Sequence, residues 1–375
     1  CRMEDLDDYR SKIDELDKKI TELFEKRMDL VIKVGDYKKK NNLPIFNENR
    51  EKEVIEKNLG YLKNKDYSEG IKKLYTKIME ISKEFEHKES KGNIIEQKIA
   101  KYEGSVAKDK IGFYGVRGSF TEEAMMKYFG ENKDAKAYEE FENVFVAVKD
   151  GEIDYGVLPI ENSSTGAISD VYDLLYKYGF YILGEVCVRV NQNLVGIAGT
   201  TLETITEVYS HPQGLMQCKG FLDEHPDWDQ VKVANTAISA KKVADDNKPV
   251  KAAICSERAA KMYGLEILKR EVNDEGNNTT RFVIMSKKKQ YRKDAGKVSI
   301  SFSVPHESGS LYNILTHFMF NNVSMSNIES RPLPGRKWEY GFYVDVIGNL
   351  DDPAIRNSLA GIKEETKDFK ILGNF

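Results

Sequence analysis

The sequence predicts a multidomain chain in three parts: an all-α segment, then an α/β segment, then a small α+β unit of ferredoxin-like βαββαβ order. Three observations predict it. At 375 residues the chain exceeds what one hydrophobic core usually organises. Residues 1–90 repeat apolar side chains every three or four positions, a helical period. Beyond about Lys110 short apolar runs alternate with helical patterns, and the final stretch opens on a strict period of two.

Composition narrows the function classes. Forty per cent apolar and 31% charged residues with nine prolines describe a globular protein that can bury real cores. The net charge of −4, with both signs interspersed, points away from nucleic acid and membrane surfaces and towards small-molecule partners. Cys1, Cys187, Cys218 and Cys255 lack metal-ligand or disulfide-framework spacing, and no run resembles a signal peptide or approaches the ~18 residues of a membrane span. The expectation is a cytoplasmic protein with no metal. The chain opens on Cys1, with Met3 a candidate native start.

From Leu6 to Lys40, the residues Ile13, Leu16, Ile20, Leu23, Phe24, Leu30, Val31 and Val34 predict one helix, uninterrupted by proline. At 1.5 Å per residue it spans roughly 50 Å, too long for a small domain, so it must find apolar cover on another helix or subunit. Helices at about 48–61 and 68–88 follow a turn at Asn41–Pro44. Residues 91–109 are polar, hold Gly92 and Gly104, and read as a linker closing a domain at 1–90.

Over 110–290 the apolar runs at 111–114, 155–160, 181–183, 252–254 and 282–285 alternate with helical patterns, as α/β units do. Lys287–Lys289 has no aromatic platform and reads as a solvated linker. In 296–375, Val298, Ile300, Phe302 and Val304 alternate with Lys297, Ser299, Ser301 and Ser303, a half-buried strand. A helix at 310–320, strands at 323–328 and 338–347, a helix after Pro353 and a strand near 369–372 complete the order.

Arg27 and Lys38 are eleven residues apart, which at 100° per residue puts them about 20° apart on the apolar face of the first helix. Cations there either snorkel from the core edge or hold an anion. Ser82 and Glu86 stand one turn apart on the third helix. The runs DDYRSKIDELD, LFEKRMDLV, VGDYKKK and NENREKEV resemble the three-helix, intertwined-dimer chorismate mutases. The resemblance implies an active site taking Arg10 from one subunit and its other groups from the second. Arg10 and Arg27 would bind the substrate carboxylates, and Lys38 and Glu86 would face the ether oxygen that gains negative charge during rearrangement. Asn47, Arg50, Glu51 and Ser82 would hold the site and the substrate hydroxyl. Neither nucleophile nor cofactor is required. A family member carries an uncharged amide where Glu86 stands. Glu86 must therefore be protonated to donate a hydrogen bond, and mutase activity is expected to decline as this carboxyl ionises.

IGFYGVRGSFTEEA has G-x-x-G-x-x-G spacing, which is not the dinucleotide fingerprint. VLPIENSSTGAI, VYSHPQ and NNTTRFVIM are polar runs at strand ends, where α/β folds place ligands, although each alone could be a cap or turn. Together they resemble the signature runs of prephenate dehydratase. The resemblance implies a two-lobed, periplasmic-binding-protein-like domain with its site in the cleft. Thr280 would be the main catalytic hydroxyl, with Glu161, Asn162, Ser210, Gln217 and Arg281 binding substrate. His211 reads as a structural His-Pro turn rather than a general acid.

ESGSLYNIL and NIESRP resemble the motifs of ACT domains attached to this dehydratase, with Ser310 and Tyr312 departing from the commonest form. This implies phenylalanine as allosteric inhibitor, bound between two such domains of a homodimer or higher homo-oligomer by Gly309, Ser310, Leu311, Glu329, Ser330 and Arg331. The whole reading is a bifunctional enzyme of phenylalanine biosynthesis converting chorismate to prephenate and prephenate to phenylpyruvate. The alternative is a monofunctional dehydratase whose helical segment serves only dimerisation. A non-catalytic amino-acid-binding clam leaves the cationic stripe unexplained, and a dehydrogenase lacks its nucleotide fingerprint.

Overall fold

The computed structural model describes residues 6–41, 43, 47–89, 100–101, 110–131, 133–333, 335–336 and 339–375. Three helices open the chain: α1 (Leu6–Lys40), α2 (Glu48–Tyr61) and α3 (Ser68–Glu89). Asn47 starts α2, its side chain accepting the Arg50 N–H at 3.0 Å. The third helix packs against both others. Much of α1 nevertheless stays bare: Leu16, Ile20, Leu23 and Leu30 are between 56% and 65% exposed. The described residues of one chain do not supply the cover its length demands. Pro44 and most of the expected linker 91–109 lie outside the described residues, except β1 (Ala100–Lys101), which runs parallel to residues 290–291.

The α/β part has two lobes. The first contains β2 (Ile111–Tyr114), α4 (Phe120–Phe129), β3 (Ala135–Tyr138), α5 (Phe141–Asp150), β4 (Tyr155–Asn162), β5 (Gly166–Ala167), α6 (Ser169–Tyr178) and β6 (Tyr181–Arg189). The chain crosses to a second lobe of β7 (Asn193–Gly196), β8 (Glu207–Ser210), α7 (Pro212–Gln217), α8 (Lys219–Asp223), β9 (Asp229–Lys232), α9 (Thr236–Asp246), β10 (Lys251–Cys255), α10 (Glu257–Met262) and β11 (Glu266–Lys269). It returns as β12 (Thr279–Ser286) and β13 (Gln290–Tyr291).

The second lobe's sheet runs β11-β7-β10-β8-β9, and the first lobe's runs β6-β12-β4-β2-β3. On its return β12 inserts between β4 and β6, antiparallel to both. Being central, β12 and β4 are covered on both faces, which is why they read as unbroken apolar runs. Phe282 and Ile284 join Phe113 and Met125 on one face, and Val283 and Met285 join Val144 and Leu175 on the other. This parity decides where each polar residue at the strand end points.

The last segment is β14 (Lys297–Val304), α11 (Ser310–Phe320), β15 (Met325–Pro332), β16 (Tyr340–Ile347), α12 (Pro353–Glu365) and β17 (Lys367–Asn374), with sheet order β15-β16-β14-β17. Ile300, Phe302, Ile314, Phe318, Val344 and Leu359 form its core. One pair, Gly373 opposite Ile182, joins β17 to β6, so this sheet extends that of the first lobe. A Cβ on Gly373 would come 2.5 Å from the Ile182 carbonyl oxygen, so the junction needs glycine. The strand expected at 323–328 starts later and runs on through Pro332. Asn322 has φ 53° and the Val323 N–H still bonds the Phe318 carbonyl at 2.9 Å, so the chain is leaving α11 there. Trp338 lies outside the described residues. No helix among the described residues is long and apolar enough to cross a membrane.

Candidate functional site

In the helical part, Arg27 donates to the Ser82 hydroxyl, and Lys38 Nζ lies 2.8 Å from Glu86 Oε2. Ser82 and Glu86 are only 5% and 7% exposed. Burial lowers the Arg27 pKa from its ordinary value, opposed by Tyr75 and Glu86. The arrangement offers two cations and a carboxyl to an anionic ligand between α1 and α3. Glu51 lies 3.4 Å from Lys83, in a cavity shared with Glu365 of the C-terminal unit, and burial raises the Glu51 pKa. Arg50 is exposed and paired with Glu53 at 3.1 Å, and Asn47 is occupied as a helix cap. Arg10 is exposed, bonded to Asp7 at 3.3 Å. Seventeen residues before Arg27, it sits roughly 25 Å along the helix axis from that residue and farther from Lys38. One chain therefore brings together Arg27, Lys38, Ser82 and Glu86, and not Arg10 or Arg50.

The second site is the cleft between the two lobes, a cavity of about 330 Å³. Thr280, 8% exposed, accepts a hydrogen bond from Asn162 Nδ2 at 2.8 Å. The Asn162 amide is oriented by its other face, where Oδ1 accepts the Ser164 and Thr165 N–H groups at 3.0 and 3.2 Å. Since Thr280 Oγ1 already accepts, its own proton is free to point at a ligand. Gln217 and His211 also line the cleft. The His211 ring caps α7, Nδ1 accepting the Gln213 N–H at 3.2 Å, and burial lowers its pKa, so it is neutral at pH 7.

Three expected contacts are not in the cleft. Ser210 is fully buried and donates to the Ile254 carbonyl at 2.9 Å, beneath Gly214, whose Cβ would come 2.6 Å from that hydroxyl. Its hydroxyl is engaged by the second lobe's own backbone, under α7. Arg281 and Glu161 pair with each other at 3.0 Å on the opposite face of the sheet. The reason is strand alternation: Thr280 and Phe282 take the cleft face, so Arg281 cannot.

Sequence reasoning missed Gln192, which lines the cleft at 2% exposure with its Oε1 unbonded, and Asn235 and Ser119, the N-caps of α9 and α4. Ser119 follows the glycine run set aside as a nucleotide fingerprint, where Gly115 and Gly118 have φ 101° and 84°. That turn was the available signal, and it aims a helix N-terminus at the cleft. Among the lining residues none is cationic, so a carboxylate there meets amides, hydroxyls and helix N–H groups.

At the C-terminal unit, Gly309 caps α11 with φ 87°, with Ser310 and Leu311 in its first turn. Glu329, Ser330 and Arg331 lie on the edge strand β15. Val304, Tyr340 and Pro332 stand abreast in the ladder, so the two motifs share one end of the sheet, two strands apart. Arg331 forks onto Asp173 of α6 at 3.2 and 2.7 Å. The unit also touches the helical part: Lys83 Nζ is 2.7 Å from Glu365 of α12, which also meets His317 at 3.3 Å.

Comparison with known proteins follows the same division. A family model described as "Chorismate mutase type II" matches residues 9–87, and one described as "Prephenate dehydratase" matches residues 111–290. The bifunctional chorismate mutase/prephenate dehydratase of Aquifex aeolicus is 31% identical over 374 residues, covering 100% of this chain and 98% of that protein. The prephenate dehydratase of Arthrobacter aurescens, solved in complex with L-Phe, superposes with TM-score 0.65 at 31% identity, covering 70% of this chain and 88% of that one. A structure described as GqqA, a novel type of quorum quenching acylase, gives the same TM-score and identity, covering 70% of this chain and 96% of that one. The helical site, the two-lobed cleft and similarity along the full length coincide: this chain belongs to the bifunctional chorismate mutase/prephenate dehydratase family.

Proposed function

We propose that the two activities of this enzyme, chorismate to prephenate and prephenate to phenylpyruvate, divide between the α1–α3 site and the interlobe cleft. The domains are 1–90 for the mutase, 110–290 for a periplasmic-binding-protein-like dehydratase, with the linker at 91–109, and 296–375 for a ferredoxin-like ACT domain. The observation that carries this reading is the two family matches lying side by side in one chain, each over its own polar site.

In the mutase, Arg27 binds a substrate carboxylate and Lys38 neutralises the charge growing on the ether oxygen. Preorganised donors of this kind are typically worth 10²-fold or more in rate. Protonated Glu86 is the second donor to that oxygen, while Ser82 and Glu51 hold the site, with Asn47 and Arg50 at the substrate hydroxyl's side. The bare face of α1 supports an intertwined homodimer, in which a second copy covers Leu16, Ile20 and Leu23 and supplies Arg10.

In the dehydratase, the bond from the ring to its carboxylate breaks to release carbon dioxide. That electron pair aromatises the ring and expels the hydroxyl, which leaves as water once protonated. Thr280, held by Asn162, donates the hydrogen bond that starts this departure. Gln217 and the neutral lining orient the carboxylates.

The ACT domain binds phenylalanine through residues 309–311 and 329–331, with a partner domain completing the site. The L-Phe complex of the Arthrobacter aurescens relative supports this. The free thiols Cys187, Cys218 and Cys255 suit a cytoplasmic setting.

The test is to incubate the protein with chorismate and follow prephenate and phenylpyruvate, with and without phenylalanine. Phenylpyruvate that phenylalanine suppresses is the expected result. Chorismate left untouched while supplied prephenate is dehydrated would reduce the helices to a dimerisation module.

A further inference from the structure

Arg281 stands one peptide from Thr280 and serves a different master. Its guanidinium holds Glu161 Oε2 at 3.0 Å, Glu185 Oε2 at 3.2 Å and Asp345 Oδ2 at 2.8 Å. Asp345 belongs to β16 of the C-terminal unit, and its other oxygen accepts the hydroxyl of Ser299 on β14. Lys297, also on β14, reaches the second oxygen of Glu185 at 2.6 Å. The Arg281 and Asp345 side chains are 13% and 10% exposed.

Burying such charges costs about as much as their attraction returns, so a network of this kind is weak support for stability and better suited to fixing geometry. Burial works against the charge of Arg281, but its neighbours, Asp345 foremost, hold its pKa above the ordinary value.

The ladder shows what geometry is being fixed. Thr280 is opposite Asn162, and Arg281 is opposite Glu161, with a register shift immediately after Arg281. Each of the two bonded cleft residues thus has a network member as its chain neighbour. A second tie runs alongside. The Tyr343 hydroxyl of β16 donates to the Tyr172 carbonyl of α6 at 3.1 Å, and Arg331 grips Asp173 on the same helix. That helix begins seven residues after Asn162, beyond a turn and the short β5.

We infer that Arg281 is a positioning residue, through which Asp345 of the C-terminal unit sets the placement of Thr280 and Asn162, and that the effector acts on dehydration through this joint. The effector half rests on reading that unit as the phenylalanine sensor. Coupling needs an element both sites can bias, and the end of β12 is one.

Full-length Asp345→Asn and Arg281→Lys are assayed with prephenate, with a phenylalanine titration, and with the mutase rate of each preparation as the control for folding. Asp345→Asn is expected to lower dehydratase kcat about ten- to a hundredfold. Its KM stays within about twofold, and the phenylalanine midpoint rises about tenfold. If Arg281→Lys raises KM about tenfold at unchanged kcat, Arg281 is a substrate contact and the inference is overturned. Wild-type kcat and inhibition in Asp345→Asn would equally overturn it. Should either variant lose mutase activity as well, the milder Ser299→Ala, which frees only the second oxygen of Asp345, replaces it. The same direction of change supports the joint and an unchanged midpoint refutes it. Wild-type dehydratase indifferent to phenylalanine would sink the sensor reading, while the kcat and KM split would still decide the positioning role.

Discussion

Lys38 Nζ meets Glu86 Oε2 at 2.8 Å across α1 and α3, at a point where Gly35 lets the helices close in: a Cβ there would stand 3.2 Å from the Glu86 Cα. The ion pair and donation to the ether oxygen compete for the same carboxyl. Glu86→Gln, whose amide can donate in its place, should keep mutase kcat within about tenfold of wild type, and Glu86→Ala should lose about 10²-fold or more. Steady-state kinetics on chorismate check this, and equal rates in the two variants would remove Glu86 as a donor.

Thr280→Val keeps the shape and removes the proton. Dehydratase kcat should drop about 10²-fold, with mutase kinetics unchanged in the same preparation. Asn162→Ala should lower kcat in the same direction, because the Thr280 hydroxyl then loses its orienting partner. A KM effect without a kcat effect would move both residues from chemistry to binding.

The junction between α3 and α12 carries a pH signature. Burial alone would raise the Glu365 pKa, but His317 and Lys83 overcome it and hold it down at about 2, against an ordinary 4.5. A depressed carboxyl stabilises the fold fully above its ordinary range and loses that contribution as pH falls from 4.5 towards about 2. Glu365→Gln should cost on the order of 3 kcal/mol at neutral pH. Denaturant midpoints of both proteins should converge on acidification, and a gap independent of pH would assign the effect to packing.

Mixing subunits tests the shared mutase site. Arg10→Ala and Lys38→Ala are each expected to be inactive as mutases. After co-refolding, random pairing gives heterodimers with one intact site, restoring about a quarter of wild-type activity. No recovery would mean that Arg10 serves its own chain. Leu23→Glu, placing a charge on the bare face of α1, should yield monomers by sedimentation and abolish mutase activity.

Local regularities were legible because they repeat at short range. Arg27 with Lys38, and Ser82 with Glu86, follow from helical period alone, as do the long bare face of α1 and the start of α11 at Ser310. The run containing Thr280 and Arg281 marked a site, but its residues alternate, and no single strand says which of its faces meets the cleft. That depended on β12 returning between β4 and β6, more than 80 residues after β6 ended. The same holds for Ser210 beneath α7, for Gln192 at a crossing between lobes, and for the bonds of Arg281 to Asp345 and Lys83 to Glu365. The sequence determined the elements, the period of each and the chemical groups available, since these depend on neighbours a few residues apart. Only the tertiary structure decided which charges share a buried network, because a buried charge is satisfied by whatever partner the packing brings, at any separation along the chain.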